Sequence, residues 1–187
     1  MPSAWVVLGG LSASGFAREI LDHFPQVDFI VRGDAEKPLL ALAQLLLTAG
    51  AGPVSLASLA EIPNLSCRSP QGITETPISY VASTADLDEL NFIDTDFLEH
   101  FQEYYVHEYV VTNLANARQV LQTNPFKGRW TTTARGCKYH CSYCGGSKES
   151  HKILAGRNGI VIRSPDRVVD DLVRLKQKGV IQASLSY

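Results

Sequence analysis

Three of the four cysteines lie within eight positions of one another, in a segment that carries the clearest chemical signal of the chain. Residues 136–146 read GCKYHCSYCGG, which gives the spacing Cys137-x-x-x-Cys141-x-x-Cys144. Three thiols cannot all pair into disulfides, and a closed zinc site would need a fourth ligand. Residues 137–146, here called the cysteine loop, therefore predict a metal site whose protein ligand set is incomplete.

An iron–sulfur cluster with four irons suits this incomplete set, because each iron takes a thiolate or a substitute. Three thiolates on a short loop can hold three irons and leave the fourth open. An open position can bind a substrate or cofactor directly, as it does in catalytic zinc sites. Gly145 and Gly146 follow the last cysteine, and their missing side chains let a ligand approach the backbone.

Two other interpretations of these cysteines stay open. His140 or His151 could complete a zinc site, although the gaps do not match the usual paired C-x-x-C knuckles. Cys141 and Cys144 could form a redox pair, but that motif normally opens a helix, and it leaves Cys137 unexplained. The fourth cysteine, Cys67, stands alone in a strand-like stretch, which is typical of a free structural thiol.

The composition indicates an ordinary globular chain. Its 187 residues are 45% hydrophobic and 19% charged, with a net charge of −2, enough for one domain or two small ones. The sequence contains no sustained run of Lys and Arg that would indicate a nucleic-acid partner. The longest apolar stretch, residues 39–47, is too short to span a bilayer, and the N-terminus does not resemble a secretory signal. We expect a soluble, cytoplasmic protein without a membrane partner.

The first 50 residues alternate between strand and helix patterns, which predicts an α/β fold with a parallel sheet. A strand at 5–8 ends at Gly9-Gly10, and a helix follows in which Phe16, Ile20, Leu21 and Phe24 share one side. A second strand at 27–31 precedes a helix at 36–48. Two strands do not make a doubly wound sheet, so this region is interpreted as the last part of such a domain.

Residues 51–125 are predicted to connect this domain to the next. Segments 65–68 and 73–76 flank a turn at 69–72, which indicates a hairpin, and Asp86 starts a linker or a capped helical turn. One or two helices are expected between residues 97 and 121. Their aromatic and histidine side chains are interpreted as core or ordinary surface residues: Tyr104, Tyr105, Tyr109, His100 and His107.

Residues 126–187 predict one βαβ unit. A β-branched strand at 130–134 leads into the cysteine loop, and a helix begins at Ser164-Pro165 and ends at Gly179, before a strand at 180–187. The predicted core face of the helix is Val168, Val169, Leu172, Val173 and Leu175. The cysteines thus follow the carboxyl end of the first strand, where parallel α/β barrels place their chemistry.

The pattern Cys-x-x-x-Cys-x-aromatic-Cys, with Tyr143 as the aromatic residue, resembles the signature of radical S-adenosylmethionine (radical SAM) enzymes. The resemblance covers roughly residues 130–187. It implies that the three cysteines hold a 4Fe–4S cluster whose open iron chelates the methionine end of S-adenosylmethionine. An electron from the cluster then cleaves the sulfonium to a 5′-deoxyadenosyl radical. Tyr143 would present backbone groups toward the adenine, Gly145 and Gly146 would admit the methionine end, and a flavodoxin or ferredoxin would supply the electron.

The N-terminal stretches VVLGGLSAS and VDFIVRGDAEKPLLAL resemble the end of the cobalamin-binding domain that precedes many radical SAM barrels, and NLSCRSPQGITETP resembles the connecting segment. This implies that Gly9, Gly10 and Gly33 contact the nucleotide tail of cobalamin. The family's Asp-x-His-x-x-Gly motif has no counterpart among the five histidines, and His23 is expected on a helix surface.

The chain as a whole is similar to a radical SAM protein with an N-terminal cobalamin-binding domain. We expect a fragment of such a protein that contains 1–50 of the cobalamin domain, 51–125 as connection and 126–187 as the opening of the barrel. The full protein would catalyse a cobalamin-dependent methyl transfer or rearrangement on an undetermined substrate, whereas the fragment alone would be inactive. The alternative is a zinc-stabilised, non-catalytic binding module.

Overall fold

The structure is a computed structural model, and it describes residues 4–50, 52–94, 99, 128–180 and 182–186. The chain divides into two compact units. The first contains Met1–Ala82 and Gly136–Ile160, and the second contains Ser83–Arg135 and Val161–Tyr187. The predicted segments 1–50, 51–125 and 126–187 concern which family domain each part matches, and that assignment stays a prediction.

The first unit begins with the predicted strand–helix–strand unit. Strand β1 is Val7–Leu8 and strand β2 is Phe29–Val31, and they pair in parallel with Val7 opposite Phe29. Two short helices, α1 at Gly10–Gly15 and α2 at Ala17–His23, connect them. The parallel crossover is confirmed, and His23 lies at the exposed end of α2 as expected.

The predicted buried side of this helical region was wrong at its two phenylalanines. Phe16 interrupts the helix and is 61% exposed, and Phe24 is 50% exposed. Leu21 and Ala17 of the predicted side are buried, together with Ala13, and these three residues, four apart, pack with Val27 and Ile30 as one core cluster. Small alanine side chains allow α1 and α2 to lie close to the sheet, so the phenylalanines are left on the outer side.

A second core cluster forms where α3, Glu36–Ala49, and the short helix α4, Leu56–Ala60, pack against the sheet. The buried members of this cluster are Phe29, Val31, Leu42, Leu59, Ile62, Leu65 and Cys67. Pro38 lies within the first turn of α3, where its missing N–H costs no helical hydrogen bond. Cys67 is a buried free thiol, as the sequence predicted.

The predicted hairpin is present as β3, Leu65–Ser69, and β4, Gly72–Glu75. It extends the sheet to four strands in the order β1-β2-β3-β4. Because β3 pairs antiparallel with β2, the sheet is mixed, and the predicted parallel pairing is confined to β1 and β2. The side chain of Arg68 supports this arrangement, since its guanidinium donates to the carbonyls of Leu21 and Pro25.

The second unit contains the predicted βαβ unit. Strand β5, Gly128–Thr132, pairs in parallel with β8, Gln182–Ser186, and helix α7, Pro165–Gln177, lies between them in the chain. Helix α5, Thr84–Glu89, is the predicted capped turn, with Ser83 and Asp86 forming a capping box.

The buried face of α7 differs from the predicted one. Val168 and Leu175 are buried, but Val169 and Val173 are about half exposed. Asp171 is buried in their place because its carboxylate forms an ion pair with Arg163, at 2.9 Å. The spacing of apolar residues along a helix does not show that a charged residue is buried by an ion pair with a residue outside the helix.

Three elements near the cysteine loop were not predicted, one before it and two after it. Strands β6, Ala134–Gly136, and β7, Ile160–Ile162, form a two-stranded sheet, and helix α6, Lys148–Ala155, lies between them in the chain. Ser147 caps α6 by accepting a hydrogen bond from the N–H of Ser150, and Gly156 follows its end. This serine–glycine pair was the available sequence signal.

Within the part of the chain that the structure describes, no helix is long and apolar enough to cross a membrane. Apart from Glu99, the helices predicted at 97–121 lie outside the described residues, together with their tyrosines and histidines.

Candidate metal centre

The cysteine loop lies in the first unit, after β6 and before α6. Cys137 and Cys141 are half-buried and Cys144 is exposed, and all three are free thiols. The sequence placed this loop directly after the first strand of the βαβ unit, β5, whereas in the structure it follows β6, a separate short strand between β5 and the loop. None of the three thiols forms a disulfide in the structure, and their partial or full exposure leaves them within reach of a ligand from solvent.

Backbone hydrogen bonds turn the loop back on itself. The N–H of Cys144 donates to the carbonyl of Cys141 at 3.3 Å, and the N–H of Ser147 donates to the carbonyl of Cys144 at 3.1 Å. Across the loop, the N–H of Lys148 donates to the carbonyl of Tyr139 at 2.8 Å. These bonds fold residues 139–148 into one turn, which carries Cys141 and Cys144 and leads directly into α6.

The residues after the second cysteine leave open space beside the thiols. Tyr143 is 91% exposed. A β-carbon added to Gly145 would meet no atom within 4 Å, and one added to Gly146 would meet only the sulfur of Cys144, at 3.9 Å. The roles predicted for these three residues stay predictions, and the space they need is present.

The described residues contain no group of three His, Cys, Asp or Glu side chains that could hold a single metal ion. His140 lies instead 3.4 Å from a carboxylate oxygen of Glu149, and both side chains are more than half exposed. The zinc alternative thus has no assembled ligand set here. A four-iron cluster separates its thiolates, because each cysteine binds a different iron.

The redox-pair interpretation has little support from the geometry. Helix α6 begins only at Lys148, four residues after Cys144. A redox pair of the C-x-x-C type normally lies at the start of a helix, where the helix dipole lowers the thiol pKa.

The glycine turn after β1 borders an apolar cavity of about 660 Å³. The side chains around it belong to β1, α1 and α2, and they include Leu8, Ala13, Phe16, Ile20 and Phe24. Gly9 lines this cavity, while Gly10 begins α1 with open space around its α-carbon. Of the three glycines predicted to contact cobalamin, one, Gly9, thus lines this cavity, and Gly10 is the next residue in the chain.

Gly33, the third glycine, has a different environment. Its N–H donates to the hydroxyl of Ser14 at 2.9 Å, and a β-carbon added to it would lie 2.9 Å from the α-carbon of Ala155. This close contact joins the turn after β2 to the end of α6. A contact between Gly33 and cobalamin stays a prediction.

Sequence reasoning missed two buried charged residues next to this contact. Asp34 is 5% exposed and Arg157 is 4% exposed, and they form an ion pair. Only Asp34 had a local signal, since it follows a buried strand in an Arg-Gly-Asp turn. The partners are 123 residues apart, so no spacing rule could have joined them.

Comparison with known proteins supports the likeness that the motifs predicted. No model of a protein family matches the chain. Over 180 residues the chain is 26% identical to the anaerobic magnesium-protoporphyrin IX monomethyl ester cyclase of Cereibacter sphaeroides. The match covers 94% of this chain and 24% of the cyclase.

Two solved structures of the radical S-adenosylmethionine methyltransferase TsrM from Kitasatospora setae have a similar fold. The first contains cobalamin and a [4Fe-4S] cluster, and it matches with a TM-score of 0.61 and 21% identity. The second contains tryptophan and the analogue aza-SAM, and it matches with a TM-score of 0.57 and 20% identity. Each match covers 98% of this chain and about a third or less of TsrM. The resemblance to a radical SAM protein that binds cobalamin is thus confirmed at the level of the fold, and the chain spans less than a third of the relatives it matches.

Proposed function

We propose that this chain binds a 4Fe–4S cluster through Cys137, Cys141 and Cys144, and that the open iron binds S-adenosylmethionine. The observation that supports this most directly is the donor set. Three free thiols with the radical SAM spacing lie on one hydrogen-bonded loop after a strand. The full protein would use these cofactors for a radical reaction.

The residues fit the cluster in number and in access. Three thiolates supply three of the four ligands that a four-iron cluster needs, and their exposure leaves the loop open to the incoming iron and sulfide. When bound, such a cluster supplies an electron to the S-adenosylmethionine that occupies its open iron. The protein contributes binding, orientation and exclusion of water.

The neighbouring residues have separate roles in this proposal. Tyr143 would pack beside the cluster and present backbone groups toward the adenine of S-adenosylmethionine. Gly145 and Gly146 leave the space in which the amino and carboxylate groups of the methionine end reach the iron.

The N-terminal segment is proposed to bind cobalamin in the apolar cavity beside Gly9 and Gly10, with Gly33 in the neighbouring turn. An apolar cavity with close backbone approach suits the flat, largely apolar face of a nucleotide base. In this proposal residues 1–50 belong to the cobalamin-binding domain, 51–125 connect it and 126–187 begin the radical SAM barrel.

The reaction class proposed for the full protein is a cobalamin-dependent methyl transfer or rearrangement in the cytoplasm, with a flavodoxin or ferredoxin as reductant. The matched relatives include a methyltransferase and a cyclase, and their substrates differ. The substrate of the protein that contains this chain is therefore left open.

Anaerobic reconstitution with iron and sulfide tests the cluster proposal. We expect a brown protein with about four irons per chain. Cys137→Ala loses most of this iron, whereas the matched control Cys67→Ala keeps it, because Cys67 is buried in the sheet core. A colourless protein that carries one tightly bound zinc would contradict the proposal.

A further inference from the structure

A buried ion pair lies directly behind the cysteine loop. Asp34 is in the turn after β2, and Arg157 follows the end of α6 by two residues. The carboxylate of Asp34 accepts hydrogen bonds from the guanidinium of Arg157 and from the N–H of Ala82, the latter at 2.7 Å. The same guanidinium nitrogen donates to the carbonyl of Ala82 at 2.9 Å. The two charges are thus paired and hydrogen-bonded away from solvent.

Arg157 contacts the segments at both ends of the cysteine loop. A β-carbon added to Gly136, the residue before Cys137, would lie 2.9 Å from the Cδ of Arg157. The backbone N–H of Arg157 donates to the carbonyl of His151 at 3.1 Å, which closes the C-terminal end of α6, the helix that follows the loop. One residue therefore touches the start of the loop and the helix that follows the loop.

The turn after β2 supplies the other half of this contact. Gly33 packs against Ala155 at the end of α6, and Asp34, the next residue, pairs with Arg157. Gly156 lies between these partners, and a β-carbon added there would contact the side chains of Ile78 and Val81. Three consecutive residues at the end of α6 are therefore packed against other parts of the first unit.

We propose that Asp34 and Arg157 are a positioning pair that holds the start of the cysteine loop and the end of the helix that follows it, and so determines where the thiols of the loop lie. This role rests on the proposed function of the loop. A buried ion pair is weak evidence for stability, because removing two charges from water is costly. Its hydrogen-bond geometry, however, restricts the orientation of what it joins, and a metal site needs supporting residues that hold its ligands in place.

Two variants change the pair without leaving an unpaired buried charge. Arg157→Lys keeps the charge but loses the planar guanidinium. The double variant Asp34→Asn with Arg157→Gln replaces both charged groups by amides. The matched control is Arg18→Gln, which breaks the ion pair between Arg18 and Glu75 in the same unit, where Arg18 is 62% exposed.

The first measurement is amide hydrogen exchange on the chain without iron. The hydrogen-bonded amides of Cys144, Ser147 and Lys148 should exchange on the order of tenfold faster in both pair variants, and the β3–β4 hairpin amides should be unchanged. The second measurement is iron content after reconstitution, together with the electron paramagnetic resonance spectrum of the reduced cluster. We expect less iron and a broadened spectrum in both variants, and the parent values in Arg18→Gln.

Gly33→Ala tests the same contact from the turn. Its β-carbon would press against the backbone of Ala155 in a turn with φ of +67°, so loop exchange should rise as in the pair variants. Gly10→Ala is the control, because Gly10 has a similar φ of +86° and no neighbour within 4 Å. If Gly10→Ala has parent-like loop exchange, the faster exchange in Gly33→Ala results from the disturbed contact with Ala155 and not from backbone strain.

Each outcome decides one question. Parent-like loop exchange and iron content in both pair variants would overturn the positioning role while the cluster proposal stands. Equal loss of hairpin protection would also overturn it, because the pair would then serve the stability of the whole unit. Faster loop exchange in the variants, with no iron bound by the parent chain, would support the positioning role and refute the cluster proposal.

Discussion

The four cysteines differ in what surrounds them. Cys67 is buried among apolar side chains of the sheet core, and burial raises the pKa of its thiol, because the thiolate loses hydration there. Cys144 is exposed on a loop whose neighbouring glycine leaves open space. One residue type thus serves as a core side chain at one position and as a candidate metal ligand at the other three.

This difference predicts the order of alkylation. Since the thiolate is the reactive form, iodoacetamide at pH 8 should modify Cys144 at least tenfold faster than Cys67 in the folded, iron-free chain. Mass spectrometry of the digested protein over time measures the two rates, and denaturant should bring them together. Equal rates in the folded chain would show that Cys67 is not held in the core.

At the scale of elements, the start of α7 depends on a carboxylate of α5. Ser164 precedes α7 but forms no cap bond within it. Its hydroxyl donates to Asp88 at 2.6 Å and its N–H donates to the same carboxylate at 3.0 Å. The hydrogen bond from the Ser164 hydroxyl is the main cause that lowers the pKa of Asp88, and the charges of Arg163 and Arg167 lower it further.

A pH-dependent contribution to stability follows from this contact. Because the pKa of Asp88 is lowered on folding, its stabilising effect is present above the unfolded pKa, about 3.8, and is lost as the pH falls through the folded value. Ser164→Ala should reduce the free energy of unfolding by about 1 kcal/mol at pH 5 to 7, and the difference from the parent should shrink below pH 3.8.

Urea unfolding followed by the fluorescence of Trp130 measures this effect in a Trp5→Phe background. The control is Ser55→Ala, since Ser55 also precedes a helix without forming a cap bond and is exposed. A Ser164→Ala difference that stays constant down to pH 2 would contradict the assignment to Asp88.

At the scale of the whole molecule, the chain forms two compact units, and each contains one of its two tryptophans. Trp5 lies 5.6 Å from Phe29 between ring centroids in the first unit, and Trp130 lies in β5 of the second. The buried pair of Asp34 and Arg157 belongs to the first unit, and the contact of Asp88 with Ser164 belongs to the second. Single-tryptophan variants can therefore report on each unit separately.

We expect Arg157→Met to lower the free energy of unfolding that Trp5 reports by about 3 kcal/mol, because it leaves Asp34 buried without its partner. The transition that Trp130 reports should move much less. Ser164→Ala should instead shift the Trp130 transition more than the Trp5 transition. Urea titrations of the two single-tryptophan backgrounds measure both transitions. Equal shifts in both would show that the chain unfolds as one cooperative unit.

The sequence by itself determined the features that depend on neighbouring residues. The cysteine spacing, the hairpin turn at residues 69–72 and the βαβ unit around α7 are local patterns, and the structure has the loop after β6, the hairpin and the parallel pair of β5 and β8. Local hydrogen bonds and side-chain periodicity act within a few residues, so a single sequence shows them directly.

The tertiary structure alone decided how these elements are joined. It placed the hairpin antiparallel to β2, exposed Phe16, and paired Asp34 with Arg157 behind the cysteine loop. Each of these outcomes depends on groups distant in the sequence, whose burial is favourable only once the partner is present. The cysteine loop can thus be identified from its own residues, whereas the ion pair of Asp34 and Arg157 next to it forms only in the folded chain.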